Sequence, residues 1–214
     1  MLSETTKKST QVVKFQKQAR QVPTKNHSAL KTPRLLLRGF ETRDREQLFQ
    51  LLNNWDVIRY MATPPYPYTH AAAAEYIQTS LDNHATTHPG IFAVTRAYDG
   101  ALMGGCQIMP DGPPGHNTSA ARLAYWLGRP YWGQGYVPEA AAAIITHAFQ
   151  VWKVNVVTAY VHLSNNASCR VLEKIGFVDA GLVPPPALKG RRRGTASMHR
   201  YVLDRLAWRG THQR

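Results

Sequence analysis

The chain has 214 residues, of which 43% are hydrophobic, and this length and composition predict one globular domain with an extension rather than a disordered chain. It contains neither an apolar run of membrane-spanning length nor the apolar core of a secretory signal, so we expect a cytoplasmic protein with no membrane partner. The formal net charge is +13, and the two cysteines, Cys106 and Cys169, lack CxxC spacing, which argues against a disulfide framework and against a metal site.

The positive charge is concentrated at the two ends of the chain. Residues 1–34 and 189–214 each carry a net charge of +7, whereas residues 35–188 carry −1. Solvated tails, a contact with RNA or the ribosome, attraction of an anionic cofactor and a targeting sequence are all compatible with this distribution. The sequence alone leaves these alternatives open.

The pattern of apolar residues predicts strands and helices in mixed order. In chain order they are a strand at 34–39, helices at 42–53 and 71–83, strands at 91–98, 101–109 and 119–127, a helix at 139–151, a strand at 154–163, a helix at 169–175, and strands at 178–183 and 195–203. Asp99-Gly100 predicts a two-residue hairpin turn between the strands at 91–98 and 101–109. Three antiparallel strands followed by a strand–helix–strand unit predict an α/β (α+β) fold with a mixed, mostly antiparallel sheet of about seven strands and helices on both faces.

A glycine turn separates the strand that ends at Leu127 from the helix that follows it. It reads Trp132-Gly133-Gln134-Gly135-Tyr136-Val137. Since glycine has no Cβ, such a turn can bring backbone N–H groups close to a bulky anion, and the helix N-terminus adds its own unpaired N–H groups and positive dipole end. The turn is neither a P-loop nor a dinucleotide fingerprint. It is a candidate pyrophosphate site or a simple tight turn.

A second segment supports the first of these interpretations. Asn165-Asn166-Ala167-Ser168 opens a predicted helix that Ser164 or Asn165 can cap and that Gly176 can end. Together the segments resemble the acetyl-CoA-binding core of the GNAT N-acetyltransferase superfamily, and within it the branch of the ribosomal-protein-alanine acetyltransferases. The matching motifs are Thr32 to Arg38, Tyr125-Trp126-Leu127, Tyr131 to Tyr136, Glu139-Ala140, Asn165 with Ser168, and Val171 to Phe177.

The resemblance covers about residues 32–208 and has consequences for fold and function. It implies a sheet splayed between the fourth and fifth predicted strands, where the pantetheine arm of acetyl-CoA enters. It implies a metal-independent transfer of the acetyl group to a primary amine, on a protein N-terminus or a small molecule, by direct attack in a ternary complex. We therefore expect a basic flexible extension at 1–31, the acetyltransferase domain at 32–208 and a basic tail at 209–214, in a monomer or a homodimer.

The resemblance also assigns residues to the cofactor. Backbone N–H groups of the glycine turn would bind the phosphates, and Leu127 and Gly128 would pair with the pantetheine amides like an added strand. Asn165 would reach the pantetheine arm, cap its helix, or do both, and Arg170 would meet the phosphates or remain a surface cation. The cofactor-binding residues assigned in this way are Leu127, Gly128, Trp132, Gly133, Gln134, Gly135, Tyr136, Val137, Asn165, Ser168 and Arg170.

Acetyl transfer also needs groups that move protons. Ser168 is the candidate donor to the departing thiolate, and His162 is the candidate base; the alternatives are a plain helix hydroxyl and an exposed histidine. Leu172 stands where many family members have a tyrosine acid, and Arg122 stands where this branch commonly has a glutamate. Because arginine cannot act as a base, we expect Arg122 either to bind an acidic group of the acceptor substrate or to pair with a neighbouring acid.

The arginine at position 122 and the basic ends leave a second function open. A chain that kept the fold and lost its base would be a non-catalytic acetyl-CoA-binding module, or a module associated with RNA or the ribosome. Thioester turnover with a panel of amines distinguishes this alternative from the enzyme.

Overall fold

The structure of the protein, a computed structural model, describes residues 29–85, 90–111, 119–184 and 197–212. All but the last three residues of the predicted N-terminal extension lie outside these ranges, and so do the two connections at 112–118 and 185–196.

The described residues form one eight-stranded sheet in the order β1-β2-β3-β4-β5-β6-β8-β7. Every neighbouring pair is antiparallel except β5 and β6, which are parallel, so the predicted mixed and mostly antiparallel sheet is confirmed. The additional strand is β1, whose two residues are too few for a periodic pattern to reveal. The strands are β1 Leu30–Lys31, β2 Leu35–Arg38, β3 Ile91–Arg96, β4 Leu102–Pro110, β5 Ala120–Leu127, β6 Val156–His162, β7 Val178–Val183 and β8 Met198–Asp204.

The helices lie between these strands and after the last of them. They are α1 Arg45–Leu52, α2 Trp55–Ile58, α3 His70–His84, α4 Tyr136–His147, α5 Asn166–Lys174 and α6 Arg205–His212, with 3-10 turns at Thr42–Asp44 and Arg129–Tyr131 and a π-helical turn at Ala148–Trp152. The start of α4 lies three residues before the predicted one, because the helix begins directly at the glycine turn. The helix α6 was not predicted from the sequence.

Helices cover both faces of the sheet, as predicted. On one face, Ile144 and Ile145 of α4 and Leu172 of α5 are fully buried in a core that also contains Val157 of β6. On the other face, Leu48 and Leu52 of α1 and Ile77 of α3 form a second core with Trp126 of β5. The two cores hold the sheet between them and fix the orientation of β5.

The predicted splay lies between β5 and β6. These strands pair only from Ala120 opposite Val156 to Leu123 opposite Ala159, although β5 continues to Leu127 and β6 to His162. Beyond Leu123 the edge of β5 that faces β6 therefore has no ladder partner. The divergence opens a gap in the sheet beside the glycine turn and the start of α5.

The alternation of the antiparallel ladder decides which backbone groups face this gap. Gly128 donates its N–H to the carbonyl oxygen of Met103 on β4 at 2.8 Å. Because hydrogen-bonding directions alternate along a strand, the N–H and C=O groups of Leu127 and Tyr125 point the other way, into the gap. The open edge of β5 is thus carried by Tyr125 and Leu127.

Candidate active site

The glycine turn adopts a backbone that favours glycine at two positions. Gly133 has φ 76° and Gly135 has φ 77°, both in the left-handed region that residues with a Cβ rarely adopt. Gly135 is the N-cap residue of α4, and no side chain among the described residues caps this helix end. The N–H groups of Tyr136 and Val137 in the first turn are therefore available to a ligand, whereas Pro138 has no N–H and the N–H of Glu139 donates to Gly135 O.

Arg34, at the start of β2, braces the turn from outside. Its Nε donates to Glu139 of α4 at 2.7 Å, its Nη1 donates to the carbonyl oxygen of Gln134 at 2.9 Å, and its guanidinium lies 4.6 Å from the ring centre of Tyr136. Thr32 also donates to Glu139, at 2.5 Å. These contacts fix the turn on the sheet. The sequence placed Arg34 and Glu139 in the family motifs but gave no sign of their contact.

The charge state of Glu139 follows from this environment. Burial disfavours its ionised form, but hydrogen bonds from Thr32, from the Arg34 N–H and from the Arg34 guanidinium outweigh burial, and the pKa of Glu139 lies below its ordinary value. The brace is therefore an ion pair at neutral pH.

A cavity of about 610 Å³ extends from the turn into the splay. Its described lining includes three cationic side chains, Arg59, Arg170 and Lys174, against one carboxylate, Asp56. A pocket with this charge balance and a free helix N-terminus suits an anionic ligand that carries phosphates. The remaining lining residues are Val57, Tyr60, Met61, Tyr125, Trp126, Leu127, Tyr131, Trp132, Gly133, Gly135, Tyr136, Val137, Pro138, Ser164, Asn165, Asn166, Ala167, Ser168 and Val171.

Most of the residues that the sequence assigned to the cofactor line this cavity. They are Leu127, Trp132, Gly133, Gly135, Tyr136, Val137, Asn165, Ser168 and Arg170. Gly128 and Gln134 do not line it. The Gly128 C=O accepts the N–H of Tyr131 at 3.0 Å while its N–H is bonded to β4, and the Gln134 side chain donates to Pro130 at 3.0 Å. Both backbone groups of Gly128 therefore have protein partners already, whereas the Gln134 bond to Pro130 occupies its side chain and the Gln134 C=O accepts from Arg34.

Leu127 and Trp132 are linked at the mouth of the cavity. The indole Nε1 of Trp132 donates to the carbonyl oxygen of Leu127 at 2.6 Å, and the ring packs against the guanidinium of Arg129 at 4.8 Å. Trp132 keeps 37% of its surface exposed. The indole ring is thus held in one orientation at the entrance to the gap.

The start of α5 forms the opposite wall of the gap. Asn165 caps the helix, since its Oδ1 accepts the N–H of Ser168 at 3.2 Å. The Oγ of Ser168 lies 2.8 Å from the hydroxyl of Tyr125 on β5, and burial raises the pKa of Tyr125. Leu172, one turn further along, is fully buried and presents no group to the cavity.

His162 ends β6 as expected but is not part of the cavity lining. Its Nδ1 accepts the N–H of Ser164 at 3.2 Å, and its ring lies 5.4 Å from that of Tyr60. A neutral imidazole that accepts at Nδ1 carries its proton at Nε2. The Nδ1 atom of His162 therefore already has a hydrogen-bond partner within the protein.

Arg122 lies next to an acid rather than in the cavity. Its Nε is 4.0 Å from Asp111 Oδ1, and Asp111 accepts a hydrogen bond of 2.6 Å from Thr158 through its other oxygen. The Arg122 Nε is buried and has no hydrogen-bond partner among the described residues. The pairing with a neighbouring acid is thus present, but it is long and leaves donor capacity unused.

The short helix α2 and the two residues that follow it contribute cavity residues that the sequence did not suggest. Asp56, Arg59 and Tyr60 line the cavity, and the Tyr60 hydroxyl donates to the carbonyl oxygen of Ser164 at 3.0 Å. This bond ties the segment after α2 to the segment just before α5, across the gap. A four-residue helix gives too little periodicity to be read from sequence, and its approach to α5 is a tertiary contact.

Two further features concern the described part of the chain. Within it, no three His, Cys, Asp or Glu side chains come together as a set that could hold a metal ion. No helix there is both long and apolar enough to cross a membrane.

Comparison with known proteins agrees with this geometry. Residues 34–178 match the model of the acetyltransferase (GNAT) domain. The uncharacterized protein YkkB of Bacillus subtilis is 30% identical over 149 residues, which are 69% of this chain and 84% of that protein. The uncharacterized N-acetyltransferase p20 of Bacillus licheniformis is 29% identical over 155 residues, covering 72% and 84% respectively.

A solved structure shares the fold. The ribosomal L7/L12 alpha-N-protein acetyltransferase RimL, in complex with coenzyme A, superposes with a TM-score of 0.65 at 18% identity, over 83% of this chain and 98% of that one. The resemblance inferred from the motifs is thereby confirmed: the chain belongs to the GNAT acetyltransferase family and is an acyltransferase.

Proposed function

We propose that the protein is an acetyl-CoA-dependent N-acetyltransferase that transfers the acetyl group directly to a primary amine. The observation that carries this proposal is the cavity that joins an uncapped helix N-terminus to a gap in the sheet. A nucleotide with a long thiol arm needs a site for its phosphates and, next to that site, a narrow gap that accepts the arm. The excess of cationic side chains in the lining supports the same ligand.

The pyrophosphate of the cofactor binds to N–H groups of the glycine turn and of the first turn of α4. Arg170 and Lys174, one turn apart on α5, face the same cavity and can neutralise the phosphates. The pantetheine arm then lies along the open edge of β5, where the backbone groups of Tyr125 and the N–H of Leu127 point into the gap, while the Leu127 C=O already accepts from Trp132. Gly128, whose N–H and C=O are bonded within the protein, does not line the cavity and does not pair with the arm.

The chemistry requires a neutral amine beside the thioester carbonyl. The carbonyl oxygen gains charge during attack and is stabilised by a backbone N–H on the open edge of β5. Ser168 lies at the α5 wall of the gap and donates to the departing sulfur. Arg122 cannot act as the base that removes the amine proton. That proton is therefore accepted by His162, directly or through water, once the hydrogen bond between His162 and Ser164 has opened.

The acceptor is a protein N-terminus or a small amine, and Arg122 selects among such acceptors. Its buried Nε has no hydrogen-bond partner among the described residues, and its ion pair with Asp111 is loose, so it has donor capacity for a carboxylate or phosphate of the acceptor.

Substitution of Arg122 tests this selection. Arg122→Glu, and the uncharged Arg122→Met, should raise the KM for an acidic acceptor about 10-fold, the effect of losing one hydrogen bond to a charged group, and should leave the affinity for acetyl-CoA unchanged. Steady-state kinetics with matched acidic and neutral amines measure this difference. An equal change for both acceptors would remove Arg122 from the acceptor site.

The overall proposal is tested by release of the CoA thiol. Purified protein is incubated with acetyl-CoA and a panel of N-terminal peptides, aminoglycosides and polyamines. Polyamines should be poor acceptors, because a protein of charge +13 repels polycations. Turnover with at least one amine supports the enzyme.

The alternative function is a non-catalytic acetyl-CoA-binding or RNA-associated module. Arg122 at the position where related enzymes commonly have a glutamate favours it, as do the two basic ends. Absence of turnover together with salt-sensitive binding of RNA would establish this alternative instead.

A further inference from the structure

A phenol and an alcohol meet inside the gap. Tyr125 projects from β5 and Ser168 from the first turn of α5, and their hydroxyl oxygens are 2.8 Å apart. The Tyr125 hydroxyl also lies 3.3 Å from the carbonyl oxygen of Ser168. Both side chains line the cavity. The pair thus joins the two walls of the slot in which the thioester has to lie.

Two arrangements of the hydrogens satisfy these distances. In the first, the phenol donates to Ser168 Oγ, and the serine hydrogen is free for a ligand. In the second, the phenol donates to the Ser168 carbonyl oxygen and the serine donates to the phenol. A negative charge in the cavity selects the first arrangement, because both O–H dipoles then point toward the charge and reinforce each other.

We propose that Tyr125 is a positioning residue that holds the Ser168 hydroxyl hydrogen toward the sulfur of CoA as the thiolate departs. This inference rests on the proposed acetyl-CoA-dependent function. In the transfer step the amine nitrogen bonds to the acetyl carbon, the C–S bond breaks, and its electron pair stays on sulfur. The amine proton passes to the base or to water.

Ser168 keeps its own proton during this step. An alcohol is a weaker acid than a thiol, so full transfer from serine to the thiolate is unfavourable, and the serine acts as a hydrogen-bond donor. Water protonates the thiolate after it leaves, which balances the proton lost by the amine. Tyr125 increases the donor strength of Ser168 because its own hydrogen bond polarises the serine hydroxyl.

The surroundings of the pair support this role. Burial raises the pKa of Tyr125, so the phenol remains protonated and available as a donor. The buried Leu172 has no hydroxyl to offer in its place. The phenol that many relatives carry at that helix position is therefore supplied here from the neighbouring strand.

The thiol pKa of bound CoA measures the proposed effect without knowledge of the acceptor. It is obtained from the ultraviolet absorbance of the thiolate during a pH titration of the complex, with the complex of desulfo-CoA subtracted to remove protein groups. Tyr125→Phe keeps the ring and removes the hydroxyl, and it should raise the bound thiol pKa by about one unit relative to the unmodified protein. Tyr201→Phe is the matched control, because that buried tyrosine donates to Glu173 of the same helix, at 3.1 Å, outside the cavity lining.

A double substitution separates positioning from a general structural effect. Ser168→Ala should raise the thiol pKa, and Tyr125→Phe should add nothing further in the Ser168→Ala background. A thiol pKa unchanged by Tyr125→Phe, or additive effects of the two changes, would overturn the inference while leaving CoA binding intact. Failure of the unmodified protein to bind CoA in calorimetry is a different result, which would overturn the proposed function and this inference with it.

Discussion

Arg34 and Glu139 are 105 residues apart in the chain and form the brace of the glycine turn. The Arg34 guanidinium donates a hydrogen bond to the carbonyl oxygen of Gln134 on the outer side of the turn. With that carbonyl held outward, the flanking N–H groups can face the cavity. The brace therefore links the first motif of the chain to the proposed phosphate site.

The lowered pKa of Glu139 gives the brace a pH dependence. A carboxylate whose pKa is depressed by folding contributes stability that is fully present above its ordinary pKa, about 4.3, and is lost as pH falls through the lower folded value. Glu139→Gln should cost about 1–2 kcal/mol of unfolding free energy at pH 7, since it removes charged hydrogen bonds at a partly exposed site. The difference in Tm from the unmodified protein should shrink below about pH 4.

Thermal unfolding between pH 3 and pH 8 (a range of about five units around the carboxylate pKa) measures this effect. Glu75→Gln, at an exposed position of α3, is the control and should behave like the unmodified protein across the range. A constant difference for Glu139→Gln at every pH would mean that packing, and not the ion pair, accounts for the loss.

At the scale of elements, the helix α5 owes its position to clear end signals. Asn165 caps its start, and at its end the N–H of Phe177 donates to Leu172 O and that of Gly176 to Glu173 O, each at 3.0 Å, with Gly176 at φ 95°. This is the pair of bonds that closes a Schellman motif. The same asparagine is a proposed contact of the pantetheine arm.

The two roles of Asn165 can be separated by substitution. Asn165→Asp keeps a capping oxygen and removes the amide N–H donors, so it should retain the Tm and weaken acetyl-CoA binding several-fold, by about 1 kcal/mol. Asn165→Ala should lose about 1 kcal/mol of stability as well. Thermal unfolding and calorimetric titration give the two quantities. If Asn165→Asp binds acetyl-CoA as the unmodified protein does, Asn165 is a helix cap alone.

The elements also indicate which parts of the molecule a sequence can reveal. Local signals sufficed for the capped helix α5 and the glycine turn, because their residues act on their own backbone. They also predicted the hairpin at Asp99-Gly100, but its loop is longer than the two predicted residues, since β3 ends at Arg96 and β4 begins at Leu102. The short elements β1 and α2 lack enough residues for a period, and α6 follows a strand without a break. These three were missed for that reason.

The residues of the candidate site likewise fall into those that local sequence signals indicate and those that only tertiary packing brings together. The proposed cofactor residues lie within two continuous segments, so a motif can contain them together. The contacts of Tyr125 with Ser168 and of Arg34 with Glu139 join residues 43 and 105 positions apart, and they follow only from how the sheet and helices pack. The cavity residue Asp56 and the loose pair of Arg122 with Asp111 are likewise products of packing.

At the scale of the whole molecule, the basic residues at the start of the chain can be removed without touching the acetyltransferase domain. The acetyltransferase family match begins at residue 34 and β1 begins at Leu30, while six of the chain's Lys and Arg residues precede position 29. A variant that begins at residue 29 should fold with an unchanged Tm and bind acetyl-CoA with unchanged affinity, because the proposed cofactor site lies within the domain. Thermal unfolding and calorimetry test this, and a fall in affinity would assign the extension to cofactor binding.

The central claim is that the glycine turn holds the phosphates of acetyl-CoA. Two glycines allow a matched comparison: Gly133, φ 76°, in the turn, and Gly100, φ 72°, in the distant hairpin each have no atom within 4 Å of an added Cβ. Substitution by aspartate therefore costs both sites similar backbone strain, about 1–2 kcal/mol. Gly135 is less suitable, because an added Cβ would lie 3.5 Å from Arg34 Nη2 and the new carboxylate would pair with that arginine.

The decisive measurement is calorimetric titration of acetyl-CoA into the folded Gly133→Asp and Gly100→Asp variants. A carboxylate at position 133 repels the phosphates and displaces them from the backbone donors, so the affinity of Gly133→Asp should fall about 100-fold, whereas Gly100→Asp should bind like the unmodified protein. Equal affinities of the two variants for acetyl-CoA would contradict the assignment of the turn as the phosphate site.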